Sequence, residues 1–410
     1  MQSGFPNIRH MRVLLETIRT GTVSGAAQAC HLSQPAATQA IARLEADLAV
    51  SLVTRQRQVF TPTQAGEAFA QRARVALKHL RDGARAARRG AGQAPRQVPG
   101  FDHAVTAAQL RTLIAIANTA SFTMAARSLG VSQPTVHRAA RTLEALSGVS
   151  FFTARPSGVM LTAAGEIFAR SAKLAQAEIR QAVEEISTLR GQDTGTFVLG
   201  SLPLARTMIV PKAIHAMVQS RAGVQVRIVD GRYNELLRSL REGDIDCLIG
   251  ALRDPHPAED VLQEILFRDA LAIVAHPSHP LASRRDLTLE DTLGYPWIAP
   301  PRETPAGQYL FESLEIHKRD VTPVRAVSSS MAVLRGLLAE GDYVSVVSRH
   351  QISVEEAHGM IAALDVPLTG QFRAIGLTYR KGWRPTETQA QFIDYLHKFS
   401  HDLSGVDNAD

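Results

Sequence analysis

Residues 24–46 read SGAAQACHLSQPAATQAIARLEA, and residues 123–145 read TMAARSLGVSQPTVHRAARTLEA. The register between them holds without a gap over residues 11–75 and 110–174, an offset of 99. Arg12 matches Arg111, Ala26-Ala27 match Ala125-Ala126, and Ser33-Gln34-Pro35 match Ser132-Gln133-Pro134. Leu44-Glu45-Ala46 match Leu143-Glu144-Ala145, and Thr63, Ala65, Gly66 and Phe69 match Thr162, Ala164, Gly165 and Phe168. A solenoid needs at least three short stacked units. Two long copies imply a duplicated, self-sufficient domain.

Each copy reads as helices. In the first, Met11, Leu14, Leu15 and Ile18 recur at helical spacing, and Gly21 and Thr22 end that helix and start the next. A short helix at about 24–30 carries Ala26-Ala27, small residues that let two helices approach closely. His31-Leu32-Ser33 forms a tight turn; Ser33 suits an N-cap and Pro35 the first helical turn. The next helix, at about 34–46, buries Ala37, Ile41, Leu44 and Leu48. Its other face offers Gln34, Ala36, Thr38, Gln39 and Arg43. In the second copy Gly130-Val131-Ser132 makes the turn, with Pro134 in the first helical turn. The longer helix then exposes Gln133, Thr135, His137, Arg138 and Arg141. Short helix, tight turn, longer helix is the helix-turn-helix arrangement, whose second helix enters the major groove. Amide, hydroxyl and guanidinium groups suit base edges and phosphates. Segments 51–62 and 150–161 follow as two-stranded wings, with Arg55 and Arg57 in one and Arg155 in the other placed for phosphate. Plain amphipathic bundles have the same periodicity, but periodicity alone does not repeat a turn, a cap and a wing together.

Ala-Ala, Ser-Gln-Pro, Leu-Glu, a wing and Thr-x-Ala-Gly, in that order, resemble the DNA-binding domain of LysR-type transcription regulators. The resemblance covers about 65 residues of each copy. Two features depart from the family pattern. The family's Leu-Phe-x-Arg at the start of the wing reads Leu52-Val53-Thr54-Arg55 in the first copy and Phe151-Phe152-Thr153-Ala154 in the second, where Arg155 follows. The family also carries one such domain where this chain carries two. The resemblance implies binding to double-stranded promoter DNA as a dimer or tetramer, contact with RNA polymerase, and a response to a small-molecule effector.

Each wing leads into a helix. Residues 63–89 are rich in Ala and Arg, and residues 162–190 carry Ile167, Leu174, Ile179, Val183 and Ile186. In the family this segment is a long dimerisation helix. A tandem allows these two helices to pair with a second subunit or with each other, and the sequence leaves both open. Residues 90–100, with Pro95 and Pro99, read as a flexible linker.

Charge is unevenly spread. The net charge is +6, yet residues 1–100 hold 14 Lys/Arg against 5 Asp/Glu, and residues 191–410 hold 22 against 28. A basic half joined to an acidic half fits a polyanion-binding module linked to something else; a solvated surface is the plainer alternative. With 45% hydrophobic and 20% charged residues the chain can bury ordinary cores. Two distant cysteines, Cys30 and Cys247, make no disulfide framework and favour a reducing compartment. Neither a signal-peptide run in residues 1–10 nor a membrane-length apolar stretch occurs. The expectation is a cytoplasmic protein with no membrane partner.

From Gly195 the period changes. Strands are expected at 197–199, 224–229, 245–249, 270–275, 343–347 and 374–379, and helices at 206–218, 233–241, 331–339 and 386–399. Strands alternating with helices imply parallel sheets. The order resembles the LysR effector domain, an α/β two-lobed fold like type 2 periplasmic binding proteins. That family places its effector between the lobes, beyond strand ends. Here the resemblance implicates Ser201, Leu202 and Pro203 after the first strand, Arg232 after the second, Thr304 in the second lobe, and Ser329 and Ser330 before a helix. Helix starts bind anions, though for each residue alone an ordinary helix cap is at least as good a reading. Residues Ile249-Gly250-Ala251-Leu252-Arg253-Asp254-Pro255, Ser348-Arg349-His350-Gln351 and Gly382-Trp383 resemble the subgroup containing the galactose-binding-protein regulator and a protocatechuate-pathway regulator. That resemblance implies a sugar, sugar acid or aromatic acid as effector.

The expected layout has two mainly α winged helix-turn-helix domains at 7–64 and 105–163. Linker helices run at 65–89 and 164–191, with a flexible linker at 90–104. An effector-binding domain occupies 192–403, with lobe I at about 192–266 and 366–403 and lobe II at about 267–365. The chain has no metal-protease, phosphate-loop or dinucleotide fingerprint, so neither a cofactor nor catalysis is expected. His276-Pro277-Ser278-His279 reads as a surface turn, Asp244-Ile245-Asp246 as a solvated strand edge, and Cys30-His31 as a packed Cys beside a turn. A second function class stays open: a small-molecule-binding protein or enzyme whose duplicated helical domains serve only assembly.

Overall fold

The protein is seen in a computed structural model that describes residues 5–56, 59–92, 100–156, 158–192, 194–318, 323–370 and 372–404. Arg57, Pro95 and Pro99 lie outside the described residues. The chain divides into two compact units, residues 1–196 with 241–244, and residues 197–240 with 245 onward.

The first unit contains two copies of one plan. Helices α1 (Ile8–Thr20), α2 (Val23–Ala29) and α3 (Gln34–Leu48) precede strands β1 (Val53–Gln56) and β2 (Val59–Pro62), and α4 (Gln64–Gly90) follows. The second copy runs α5 (Ala107–Thr119), α6 (Phe122–Leu129), α7 (Gln133–Ser147), β3 (Phe152–Arg155), β4 (Gly158–Leu161) and α8 (Ala163–Leu189). Local chemistry sets these boundaries. Asn7 caps α1 by accepting from Arg9 N and His10 N, and Thr22 caps α2 through Gly25 N. Thr106 and Gln109 form a reciprocal capping box at the start of α5. Three left-handed positions recur at the repeat offset, each with glycine in one copy only: Gly21 and Ala120, His31 and Gly130, Ala49 and Gly148. The wings are antiparallel hairpins in matching register, Arg55 opposite Phe60 and Ala154 opposite Val159.

The Thr-x-Ala-Gly motif joins wing to long helix. Thr63 accepts from Gly66 N at 2.9 Å and donates to Ser51 O at 2.7 Å; Thr162 does the same with Gly165 N at 3.0 Å and Ser150 O at 2.7 Å. A Cβ at Gly66 would collide with the Leu52 carbonyl, and one at Gly165 with the Phe151 carbonyl. Glycine is therefore required by close approach, not by a turn.

The helices α4 and α8 pack against each other, antiparallel, within one chain. Arg72 of α4 reaches Gln181 of α8, while Gly83 of α4 meets Ser171 of α8. Shifting those contacts by the repeat offset exchanges the two crossings almost residue for residue, so a pseudo-two-fold axis relates the helices. One buried core runs through both copies, from Met11, Leu14 and Leu44 through Phe69 and Leu80 to Leu110, Leu143, Phe151 and Phe168. Phe101, in a 3-10 turn ahead of α5, inserts edge-on to Phe168 at 4.8 Å between ring centroids.

The second unit has two five-stranded sheets. Lobe one orders its strands β6 (Gln225–Val229), β5 (Thr196–Ser201), β7 (Cys247–Ala251), β14 (Arg373–Arg380), β8 (Val261–Asp269). It is covered by α9 (Ile209–Ser220), α10 (Tyr233–Glu242) and α15 (Glu387–Ser404). Lobe two orders β11 (Val324–Val327), β10 (Trp297–Ala299), β12 (Val344–Ser348), β9 (Leu271–Ala275), β13 (Ala362–Ala363). It carries the short helices α11 (Leu289–Thr292), α12 (Pro305–Gln308) and α14 (Ser353–Ala357) with the longer α13 (Met331–Glu340). The expectation of parallel sheets is corrected: both are mixed. β14 is antiparallel to β7 and β8, and β9 to β12 and β13. The reason is connectivity. β8 passes straight into β9 and β13 returns to β14, so the strands that link the lobes have no helical crossover to hold them parallel.

Candidate nucleic-acid interface and effector cleft

In both heads the second helix presents a polar face. On α3, Gln34, Pro35, Thr38, Gln39 and Arg43 are exposed, with Ser33 just ahead of them and Ala36 half-buried. Beneath them Ala37, Ile41, Leu44 and Leu48 are buried, as the spacing requires. On α7, Gln133, Pro134, Thr135, His137, Arg138 and Arg141 are exposed, and Val136, Ala140 and Leu143 are buried. The two caps differ. Ser33 Oγ accepts from Ala36 N, whereas Ser132 Oγ pairs with Thr135 Oγ1 at 2.8 Å and leaves the backbone uncapped by its side chain.

Several of these side chains are already engaged. Gln133 accepts from Thr123 at 3.2 Å, and the His137 ring lies 5.3 Å from Phe122. Arg141, 65% exposed, pairs with Glu144 at 2.9 Å. Glu144 and its counterpart Glu45 have a role that sequence reading missed. Glu45 Oε1 accepts from Leu52 N at 2.7 Å and Val53 N at 3.2 Å; Glu144 Oε1 accepts from Phe151 N at 2.8 Å and Phe152 N at 3.2 Å. The Leu-Glu motif therefore ties each recognition helix to its own wing. The wing tips back onto the first turn as well, through Phe60 N to Gly21 O and Val159 N to Ala120 O.

Arg55 and Arg155 are both exposed. They do not occupy equivalent places. Arg55 pairs across the hairpin with Phe60, and its counterpart is Ala154; Arg155 stands opposite Gly158. Side chains alternate between faces of a strand, so Arg155 lies on the opposite face of its wing from the one Arg55 uses.

Cys30, beside the turn, is half-buried, and burial followed by nearby Glu16 pushes its thiol pKa up. Cys247 is fully buried and pushed up to about 12, chiefly by burial. Neither has the depressed pKa of a reactive thiol. His276 Nδ1 closes a turn on Ser278 Oγ at 2.6 Å, and His279 is buried with Leu281 N donating to its Nδ1. Asp246 corrects the solvated-edge reading: it is buried, and its Oδ2 accepts from Val198 N at 2.9 Å. Among the described residues no group of three or more His, Cys, Asp or Glu is placed to hold a metal.

In the second unit, Ser201 is buried at the end of β5, Leu202 N donates to Ile249 O, and Pro203 opens a 3-10 turn. Arg232 is exposed ahead of α10. Thr304 caps α12 and Ser330 caps α13, with Ser329 exposed beside it. The capping role is thus filled for two of them. The strongest polar cluster lies elsewhere, where the chain crosses between lobes. Asp269, fully buried at the end of β8, accepts from Ser348 at 2.7 Å and His350 Nδ1 at 2.9 Å, and pairs with Arg373 at 2.9 Å. Burial alone would raise its pKa, but the His350 hydrogen bond and the Arg373 charge outweigh it and hold the carboxyl below its usual range. Ser348 and His350 belong to a motif the sequence flagged, but Asp269 and Arg373 carry no local signal.

The family described as bacterial regulatory helix-turn-helix protein, lysR family, matches residues 8–67 and again residues 107–166. The LysR substrate binding domain matches residues 190–400. The chain is 31% identical to the transcriptional regulator GalR of Pseudomonas putida over 377 residues, 92% of this chain and 93% of that one. It is 29% identical to PcaQ of Agrobacterium fabrum over 70% of this chain and 92% of that one. Among solved structures, a full-length OxyR variant from Pseudomonas aeruginosa shares the fold, with a TM-score of 0.52 at 23% identity, over 72% of this chain and 94% of that one. No described helix is long and apolar enough to cross a membrane. The chain belongs to the LysR family of DNA-binding transcriptional regulators, with two helix-turn-helix heads ahead of one substrate-binding domain.

Proposed function

We propose that both heads read double-stranded promoter DNA, each through its second helix, and that the single effector domain couples that reading to a small molecule. The observation that carries this is the recurrence of one polar, exposed face on two identically braced heads. The base-reading and positioning residues are Ser33, Gln34, Pro35, Ala36, Thr38, Gln39 and Arg43 in the first head. In the second they are Ser132, Gln133, Pro134, Thr135, His137, Arg138 and Arg141. Arg55 and Arg155 serve phosphate. The boundaries expected from the sequence, 7–64, 105–163 and 192–403, define the working parts, joined by 65–104 and 164–191. The effector is a sugar, sugar acid or aromatic acid held between the lobes by Ser201, Leu202, Pro203, Arg232, Thr304, Ser329 and Ser330. The protein works in the cytoplasm as a homo-oligomer and acts on RNA polymerase.

DNase footprinting on the gene's own upstream region tests the first part. Gln39→Ala/Arg43→Ala and Arg138→Ala/Arg141→Ala are each expected to remove a different part of the protected region. Loss confined to one variant leaves the other head without a reading role, and no wild-type protection on any candidate promoter favours assembly heads instead. For the effector, a panel of sugars, sugar acids and aromatic acids is screened by thermal unfolding. One class should raise Tm and change the footprint.

A further inference from the structure

The repeat makes α4 and α8 versions of one 27-residue helix, so three pairings are open to them. α4 can pair with an α8, with the α4 of a second copy, or α8 can pair with the α8 of a second copy. We infer that Arg72 and Gly83 select the mixed pair and that a single chain, in which these two helices already meet, not two, is the unit presenting a pair of recognition helices. The consequence for DNA rests on the reading of both heads given above; the pairing itself does not.

The inference comes from what the pseudo-two-fold axis leaves unequal. At one crossing Arg72, 5% exposed, donates to Glu178, Gln181 and Glu185. The counterparts of those three acceptors in α4 are His79, Asp82 and Ala86. At the mate crossing Ser171, the counterpart of Arg72, lies against Gly83, where a Cβ would collide with the Ser171 side chain. The counterpart of Gly83 in α8 is Ala182, which has that Cβ. An α8–α8 pair would therefore fail twice at both crossings. Ala182 would strike Ser171, and Glu178 and Glu185, both only partly exposed, would lie opposite a serine. A charge left uncompensated in a buried interface is strongly destabilising. An α4–α4 pair would put Arg72 against His79, Asp82 and Ala86, exchanging two carboxylates for one and adding an imidazole. The mixed pair sets Arg72 against two carboxylates at one crossing and Gly83 against Ser171 at the other.

The rest of the first unit reinforces the same arrangement. Arg12 of the first head binds Asp102, which lies just ahead of the second head, at 3.2 Å. Arg88 of α4 donates to Ser147 O at the end of α7 and lies over the Phe101 ring. Each contact joins the first copy to the second.

The test uses the full chain with Arg72→Lys, which keeps the charge and supplies an amine. A zero-length carbodiimide then joins that amine to a touching carboxylate, and cross-linked peptides are mapped from single-chain and two-chain gel bands. Lys78 and Asp82, 2.7 Å apart within α4, report that the reagent has worked. A link from position 72 to Glu178 or Glu185 is expected in the single-chain band. Its confinement to the two-chain band, or its absence from both while Lys78 and Asp82 are joined, overturns the inference. As a second variant, Gly83→Ala is expected to weaken the single-chain link severalfold, and an unchanged yield counts against selection by Gly83. No DNA enters the measurement, so failure of the upstream region to bind would refute the DNA-reading proposal and leave the pairing result standing.

Discussion

At the scale of single residues, the duplicated chain supplies its own controls. Gly21 and Ala120 hold the same left-handed bend after α1 and α5, with φ of 69° and 49°. That bend costs a side-chain-bearing residue about 1–2 kcal/mol, while glycine loses about 0.4–1 kcal/mol through its freer unfolded state. Gly21→Ala should therefore destabilise by about 1 kcal/mol, aggravated by Val59 Cγ1 3.2 Å from the new Cβ. Ala120→Gly should be neutral or stabilising by up to about 1 kcal/mol. Urea unfolding followed by circular dichroism measures both, and equal losses at the two sites would refute the strain argument. Asp269 offers a pH reading. Its folded pKa lies below the unfolded value of about 3.9. Its contribution is therefore fully present above about pH 4 and is lost as pH falls through the folded value. Asp269→Asn should destabilise the effector domain by about 3–5 kcal/mol at neutral pH, because Arg373 is left without its carboxylate. The variant should also lose less stability than wild type when acidified. A parallel acid limb in both proteins would show that Asp269 does not titrate on unfolding.

At the scale of elements, most of the heads could be read from spacing. The periods of α3 and α7, the turn, the wing and the paired Thr-x-Ala-Gly motif are local signals, and the buried positions Ala37, Ile41, Leu44 and Leu48 follow directly from them. What spacing could not show was which side chains meet across elements. Glu45 bracing Leu52, Arg72 meeting Glu178, and Arg373 meeting Asp269 depend on how elements meet, not on their own periods. The same limit hid β8, whose faces alternate irregularly between buried and exposed, and the short strands β10 and β11. It also made the sheets look parallel, since direction is decided by which connections cross between lobes. Of the effector candidates, Thr304 and Ser330 were legible as helix caps, and the structure shows each capping its helix. The wings carry a prediction of their own. Arg55→Ala should weaken DNA binding across all sequences and lower the salt slope by about 1. Arg155→Ala should do less, since Arg155 occupies the opposite face of its hairpin. Titration of the upstream fragment over a range of salt concentrations checks both, and a larger effect from Arg155 would reverse the assignment.

At the scale of the whole molecule, one effector domain accompanies two heads that differ in the residues proposed to read DNA. Gln39 and Arg43 in one face their counterparts Arg138 and Thr142 in the other, so the two halves of a bound site need not be inverted copies of one word. Hydroxyl-radical footprinting should show two protected patches of unrelated sequence; a perfect palindrome would contradict two distinct readers. The antiparallel α4–α8 pair has a further bearing on life in a crowded regulatory network. A bacterium that holds many regulators with the same linker helix risks chimeric partners, in which one protein's head is conscripted by another's sensor. Here α4 already has its mate in the same chain, joined to it through the linker and the second head, and tethering of this kind sets effective concentrations on the order of millimolar. Paralogues would have to approach that concentration to compete, so the tandem insulates this circuit from its relatives by tethering, without any contact that a rival must be shaped to avoid.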